Sequence, residues 1–314
     1  MGAWTAYSPL GGGLYLGWAL GANDAANVFG TAVATRVVSY RTATWLCGAF
    51  VILGAVLQGE AGIETLSAIT DQTVNTAVIV TLAAAVTGTI MTVFGMPIST
   101  SQAVVGAILG IGLATKNTDT SELVKVIICW IGTPIGAMAI AVVVFRLLAW
   151  LTQWTHISMF TRDNVLRYGL LLAGIYGSYA LGANNVTNTT GMFSGLLPGV
   201  NDRALAAIGG TAIAAGSITY SHRVMMSLGK GMMRLDAFTA LVAVLGMSVT
   251  VHVFAMVGVP VSTSQGIVGA ILGIGAVRGA HAINFRWLWR VAIAWVATPF
   301  IALILSAAAY AIFL

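Results

Sequence analysis

Two segments of this 314-residue chain are near copies of each other: PISTSQAVVGAILGIG from Pro97 to Gly112 and PVSTSQGIVGAILGIG from Pro260 to Gly275. A second pair, GANDAAN from Gly21 to Asn27 and GANNVTN from Gly182 to Asn188, keeps almost the same separation between copies. Nearly the whole chain therefore reads as one half written twice, with residues 1–151 and 164–314 as the copies and 152–163 as the linker. Any fold it adopts has to accommodate two similar halves that each carry both polar motifs.

Those motifs lie in an otherwise apolar chain. Hydrophobic residues make up 58%, charged residues only 7%, and the mean hydropathy is +0.93. A soluble domain of this length needs far more polar surface, so the expected class is an all-α integral membrane protein. A helical crossing takes roughly 20 residues. Five apolar segments are read in the first half, at 8–34, 43–59, 74–95, 97–114 and 123–150. Five more follow at 164–196, 203–221, 236–257, 260–277 and 287–313. The short alternating strands of a membrane barrel are absent. MGAWTAYSPL has no basic region ahead of its apolar stretch, so no cleaved signal peptide is expected.

Five crossings per half is an odd number, which makes the second copy enter the bilayer from the opposite side. The expectation is a pair of inverted repeats with broken or re-entrant helices at the midplane, where secondary transporters place their substrate site. With both termini outside, all of the 14 Lys and Arg except Lys116, Lys125 and Arg203 fall near the cytoplasmic face, as the positive-inside rule requires. The net charge of +5 is thus a mark of orientation. No basic face with interleaved aromatics points to nucleic acid, and no Walker motif points to ATP. Nor does any pairing of nucleophile and base point to an enzyme.

The PxSTSQ stretches suit an anion. Proline is favoured in the first turn of a helix, and Ser or Thr caps its free amides. Pro97 to Ser101 is therefore read as a helix start inside the membrane, offering backbone donors and the hydroxyls of Ser99, Thr100 and Ser101. Ser262, Thr263 and Ser264 form the second set. In a membrane helix such hydroxyls also satisfy carbonyls or allow close packing, the alternative for a single STS. Gly106, Gly110, Gly269 and Gly273 are read as close-packing contacts. In GAND, Gly21 and Gly182 are expected to unwind their helices and free carbonyls. Asn23, Asn27 and the carboxylate of Asp24 then supply the oxygen ligands that a small hard cation prefers.

GANDAAN with PISTSQ, repeated as GANNVTN with PVSTSQ, resembles the inorganic phosphate transporter (PiT) family along essentially the full chain. The resemblance implies a dimeric permease that moves phosphate, or in some relatives sulfate, together with sodium or protons. It also implies an anion held by the two STS stretches with Asn27 and Asn188. Coupling falls to Asn23, Asp24, Glu64, Gln102, Asn184, Asn185 and Gln265, with sodium at Asn23, Asp24 and Asn184. Glu64 matches a family carboxylate after the second span, although it could equally be an ordinary interfacial acid. No cofactor is implied.

The chain departs from that pattern. Asn185 replaces the second Asp, Met226 stands opposite Glu64, and Gln102 and Gln265 occupy places where many members have His. The hydroxyls are thus kept twice and the carboxylates once, which predicts fewer cations per anion than in relatives with four carboxylates. The expected function is cation-coupled phosphate transport by alternating access in the cell membrane. A sulfate permease is the nearest alternative, and a passive anion channel is the alternative of another class. His252 is expected to be buried and hydrogen-bonded, Cys47 and Cys129 to be packing residues, and Pro134 and Pro299 to kink the last segment of each half.

Overall fold

The computed structural model describes residues 7–62, 65–66, 69, 72–154, 158–231, 233, 235–279 and 283–314. Glu64, singled out above, lies outside them. Eleven α-helices form among the described residues: α1 Leu10–Ala34, α2 Tyr40–Gln58, α3 Val74–Val93, α4 Thr100–Thr115, α5 Thr120–Trp154, α6 Met159–Thr189, α7 Asp202–Tyr220, α8 His222–Gly231, α9 Ala237–Val257, α10 Thr263–Arg278 and α11 Phe285–Phe313. Five of them, α2, α3, α5, α9 and α11, are individually long and apolar enough to cross a bilayer. A sixth span results if α7 and α8, bent by 73° at Ser221, count as one. α1 and α6 are long enough but carry the GAN motifs, whose polar side chains are buried inside the protein.

Glycines decide which helices touch, because in this apolar setting packing rather than water exclusion drives association. A β-carbon on Gly21 would overlap the Ile213 carbonyl of α7, and one on Gly216 would overlap Trp18 of α1. The same exchange joins α2 to α6, where Gly182 sits on the Val51 carbonyl and Gly54 on that of Tyr179. Gly106 of α4 lies on the Pro299 backbone of α11, and Gly269 of α10 lies on that of Pro134 in α5. Each of these seams joins a helix from one half to a helix from the other.

The structure departs from three expectations. Gly21 and Gly182 do not unwind anything, since α1 and α6 run unbroken through both. Their missing side chains serve the helix crossings instead, and no carbonyls are freed there. Pro97 and Pro260 do not occupy the first helical turn. They lie in an extended stretch, and the caps are Ser99 and Ser262, whose side chains accept from the amides of Gln102 and Gln265 at 3.2 Å each. His252 is half-buried rather than buried, and both ring nitrogens are engaged, with Tyr176 at 2.8 Å and Gln58 at 2.7 Å. Cys47 is buried and Cys129 half-buried, both as free thiols. α5 and α11 continue without a break through Pro134 and Pro299.

The helices α3 and α4 form a hairpin, and so do α9 and α10. α3 runs alongside α1 in the same direction, with Gly12 against Thr81 and Gly88 against Ala19. It stops where Thr92 meets Asn23, well short of the end of α1. α4 then turns back; its 16 residues make a helix about 24 Å long, less than a hydrocarbon core of about 30 Å. Both hairpins turn the same way. Gly95 (φ +67°) and Gly258 (φ +82°) end α3 and α9 in left-handed conformations that glycine adopts without strain. The amides that follow close matching bonds, Met96 to Met91 O and Val259 to Phe254 O, at 3.1 Å each. The two capped helix starts therefore lie deep in the protein rather than at its ends.

Candidate functional site

Asn23 and Asn184 pin these turns. The Asn23 amide donates to Thr92 Oγ1 at 2.9 Å and Met96 O at 3.0 Å, while its oxygen accepts the Ile98 amide at 3.1 Å. Asn184 grips its own hairpin through Val261, donating to the carbonyl at 2.8 Å and accepting from the amide at 3.0 Å. An extended backbone at this depth would otherwise leave polar groups unsatisfied. The first Asn of each GAN motif thus fixes the approach to the following helix cap, and both side chains are fully buried.

The last Asn of each motif reaches across to the other half. Asn27 Nδ2 donates to Thr263 Oγ1 at 3.0 Å, and Asn188 Nδ2 donates to Ser101 Oγ at 3.1 Å. Ser101 in turn donates to Val261 O at 3.1 Å, and Ser262 and Ser264 share a bond at 3.0 Å. Ser99, Thr100, Ser101, Ser262, Thr263, Ser264, Asn27 and Asn188 are therefore brought together, and none is more than 3% exposed. The capped N-termini of α4 and α10 belong to the same cluster, so their free amides and positive dipole ends add to its hydroxyl donors.

Asp24 is 2% exposed. Its Oδ1 accepts a long bond from Asn27 Nδ2 at 3.4 Å, and the Thr263 hydroxyl lies within reach. Among the described residues the ion pairs are Lys125 with Glu122 and Arg278 with Asp236, and neither involves Asp24. Asn185 repeats the local pattern with a neutral group, accepting from Asn188 at 3.1 Å. One side chain that differs by charge alone thus sits at equivalent places in the two halves.

Several buried polar atoms of this cluster have no partner among the described residues. They are the oxygens of Asn27, Asn188, Gln102 and Gln265 and the amide nitrogen of Asn185. Four of the five are amide oxygens in two matched pairs, the donor set that a hard cation uses. The oxygens of Asn23 and Asn184, by contrast, already accept backbone amides. Thr92, the hydroxyl partner of Asn23, escaped the sequence reading because it belongs to no repeated motif.

Two helical hairpins whose capped starts meet inside a multi-pass bundle, over hydroxyls and amides drawn from both halves, define a membrane transporter. The chain belongs to the Phosphate transporter family, whose model matches residues 20–306. It is 30% identical over 292 residues to a protein of Methanocaldococcus jannaschii named "Putative phosphate permease", covering 93% of this chain and 92% of that one. It is 27% identical over 308 residues to the sulfate permease CysP of Bacillus subtilis, covering 96% and 86%. Among solved structures it is similar to one titled "The sodium-dependent phosphate transporter", with a TM-score of 0.89, 21% identity and 98% of each chain covered.

Proposed function

We propose that this protein is a cation-coupled symporter of an inorganic tetrahedral oxyanion, phosphate first, working by alternating access. Hydroxyls and helix starts from both halves hold the anion, through Ser99, Thr100, Ser101, Ser262, Thr263 and Ser264 with Asn27 and Asn188. The coupling cation, sodium or a proton, belongs with Asp24 and the unpartnered amide oxygens. In this reading 1–151 and 164–314 are inverted repeats, both termini face outside the cell membrane, and the chain works as a homodimer.

The observation that carries the proposal is Asp24: a buried carboxylate with no basic partner among the described residues, beside a cluster built of anion donors. An ionised carboxylate in such a place is strongly disfavoured unless a cation or proton accompanies it. Bringing an oxyanion alongside increases that demand, so the two bindings are coupled. A sulfate substrate is the second reading, favoured by the similarity to a sulfate permease.

Uptake of labelled phosphate and sulfate into proteoliposomes, with sodium and pH gradients imposed separately, tests both readings. Accumulation of phosphate against its gradient, driven by one of the two cations, is expected. Flux that only follows the anion's own electrochemical gradient would make the protein a channel.

A further inference from the structure

The two hairpin turns are each covered by a short segment from the other half, and the two covers are chemically unlike. At the α9–α10 turn, Thr65 Oγ1 donates to the Gly258 carbonyl at 2.7 Å, and the Ala61 backbone lies against the same glycine. At the α3–α4 turn the cover is α8, whose Arg223 and Ser227 pack on Gly95. Arg223 Nη1 donates to the Val93 carbonyl at 2.6 Å. In the alignment of the copies Thr65 corresponds to Ser227 and Ala61 to Arg223. Among the described residues the groups touching Gly258 are neutral, whereas a guanidinium holds the other turn.

That guanidinium is well placed to exchange partners. Val93 is the last residue of α3, where carbonyls lack intrahelical donors and the helix carries partial negative charge. The bond therefore holds the helix end down. A carbonyl is nevertheless a weaker acceptor for guanidinium than a tetrahedral oxyanion, which can take two parallel charged bonds. Arg223 is exposed, so an anion can reach it without prior unfolding. Thr92, next to Val93, accepts from Asn23, which in turn holds the Ile98 amide ahead of the Ser99 cap. Release of Val93 thus acts on a continuous chain of bonds leading to the cradle.

We propose that Arg223 is a one-sided latch and capture point for the transported oxyanion. It closes the α8 face by holding the end of α3, and it transfers its guanidinium to an anion entering or leaving there. At the opposite turn, Ala61 stands at the corresponding place, and no guanidinium packs on Gly258 among the described residues. The capture step rests on the transport function proposed above, whereas the latch does not.

Two measurements on the full-length protein separate these parts. In uniformly oriented proteoliposomes, Arg223→Gln is expected to raise the phosphate KM at the α8 face by about fivefold to tenfold. The KM at the other face stays unchanged, and Arg223→Lys restores most of the loss. No change, or an equal change at both faces, overturns capture. The second measurement follows thiol labelling of Ser227→Cys by a membrane-impermeant maleimide, in a background carrying Cys47→Ala and Cys129→Ala. Arg223→Gln should accelerate labelling from the α8 face at least about fivefold, and an unchanged rate overturns the latch whatever the flux. Faster labelling in a protein that moves neither phosphate nor sulfate would uphold the latch, overturn capture and reject the transport function.

Discussion

Asn188 in α6 donates its side-chain amide to the Ser101 hydroxyl in α4 at 3.1 Å, tying the GAN motif of one half to the STS stretch of the other. Asn27 and Thr263 make the reciprocal tie at 3.0 Å. The site is therefore a product of both copies, and neither half contains it alone. Four consequences can be measured.

Asp24→Asn keeps the shape of the side chain and removes its charge, making the first GAN motif match the second. Cation-driven accumulation is expected to disappear while the protein still inserts and purifies as wild type. Flux measured with and without the cation gradient checks this, and unchanged coupling would remove Asp24 from the mechanism.

Stoichiometry should follow charge. With Asn185 neutral and Met226 aligned with Glu64 in the duplicated sequence, fewer cations are expected than in a relative with four carboxylates, about two or fewer per anion. Reversal-potential measurements on reconstituted protein give the ratio directly. A value of three or more contradicts this account.

Gly21→Val and Gly182→Val should each destabilise the protein by about 1–3 kcal/mol or prevent assembly, because the new side chain meets the backbone carbonyl of Ile213 or Val51. Gly11, with open space around it, is the control: Gly11→Val should leave the melting temperature in detergent within a degree or two of wild type.

The start of α9 supplies a pH test away from the site. Burial pushes the Asp236 carboxyl up. The Thr239 amide and hydroxyl and the Arg278 guanidinium, the last at 2.8 Å, more than offset this and hold it below the usual carboxylate range. Because the folded pKa is the lower one, its stabilising effect is complete above about pH 4, the unfolded value, and is lost as pH falls through the folded value. Asp236→Ala should therefore lower the melting temperature at pH 7, and the difference from wild type should shrink as pH drops below about 4.

Much of this was legible in the chain. The ten apolar segments correspond to ten of the eleven helices, since a membrane helix must satisfy its backbone internally and so declares its length in hydrophobicity. Among the described residues only α8 is additional, a short amphipathic piece without a long apolar run. The hydroxyl and amide cluster was also legible, because an apolar chain seldom carries polar side chains twice without use for them. The roles within the motifs were less so. Gly21 and Asn23 lie two positions apart in one sequence motif, yet one is a packing notch against α7 and the other a clamp on the α3–α4 turn. Nothing in the letters separates those duties, which depend on the helix packed against each residue.

The membrane class, the duplication and the imbalance between Asp24 and Asn185 are readable from the chain alone, because composition, repeat and charge are carried by the residues wherever they lie. The interlocking of the two halves, the bonds of Asn27 and Asn188 across them, and the closing of one hairpin turn by Arg223 rather than a hydroxyl emerge from the folded chain. These are contacts between residues far apart in the chain, and their geometry depends on helix packing that no local pattern encodes.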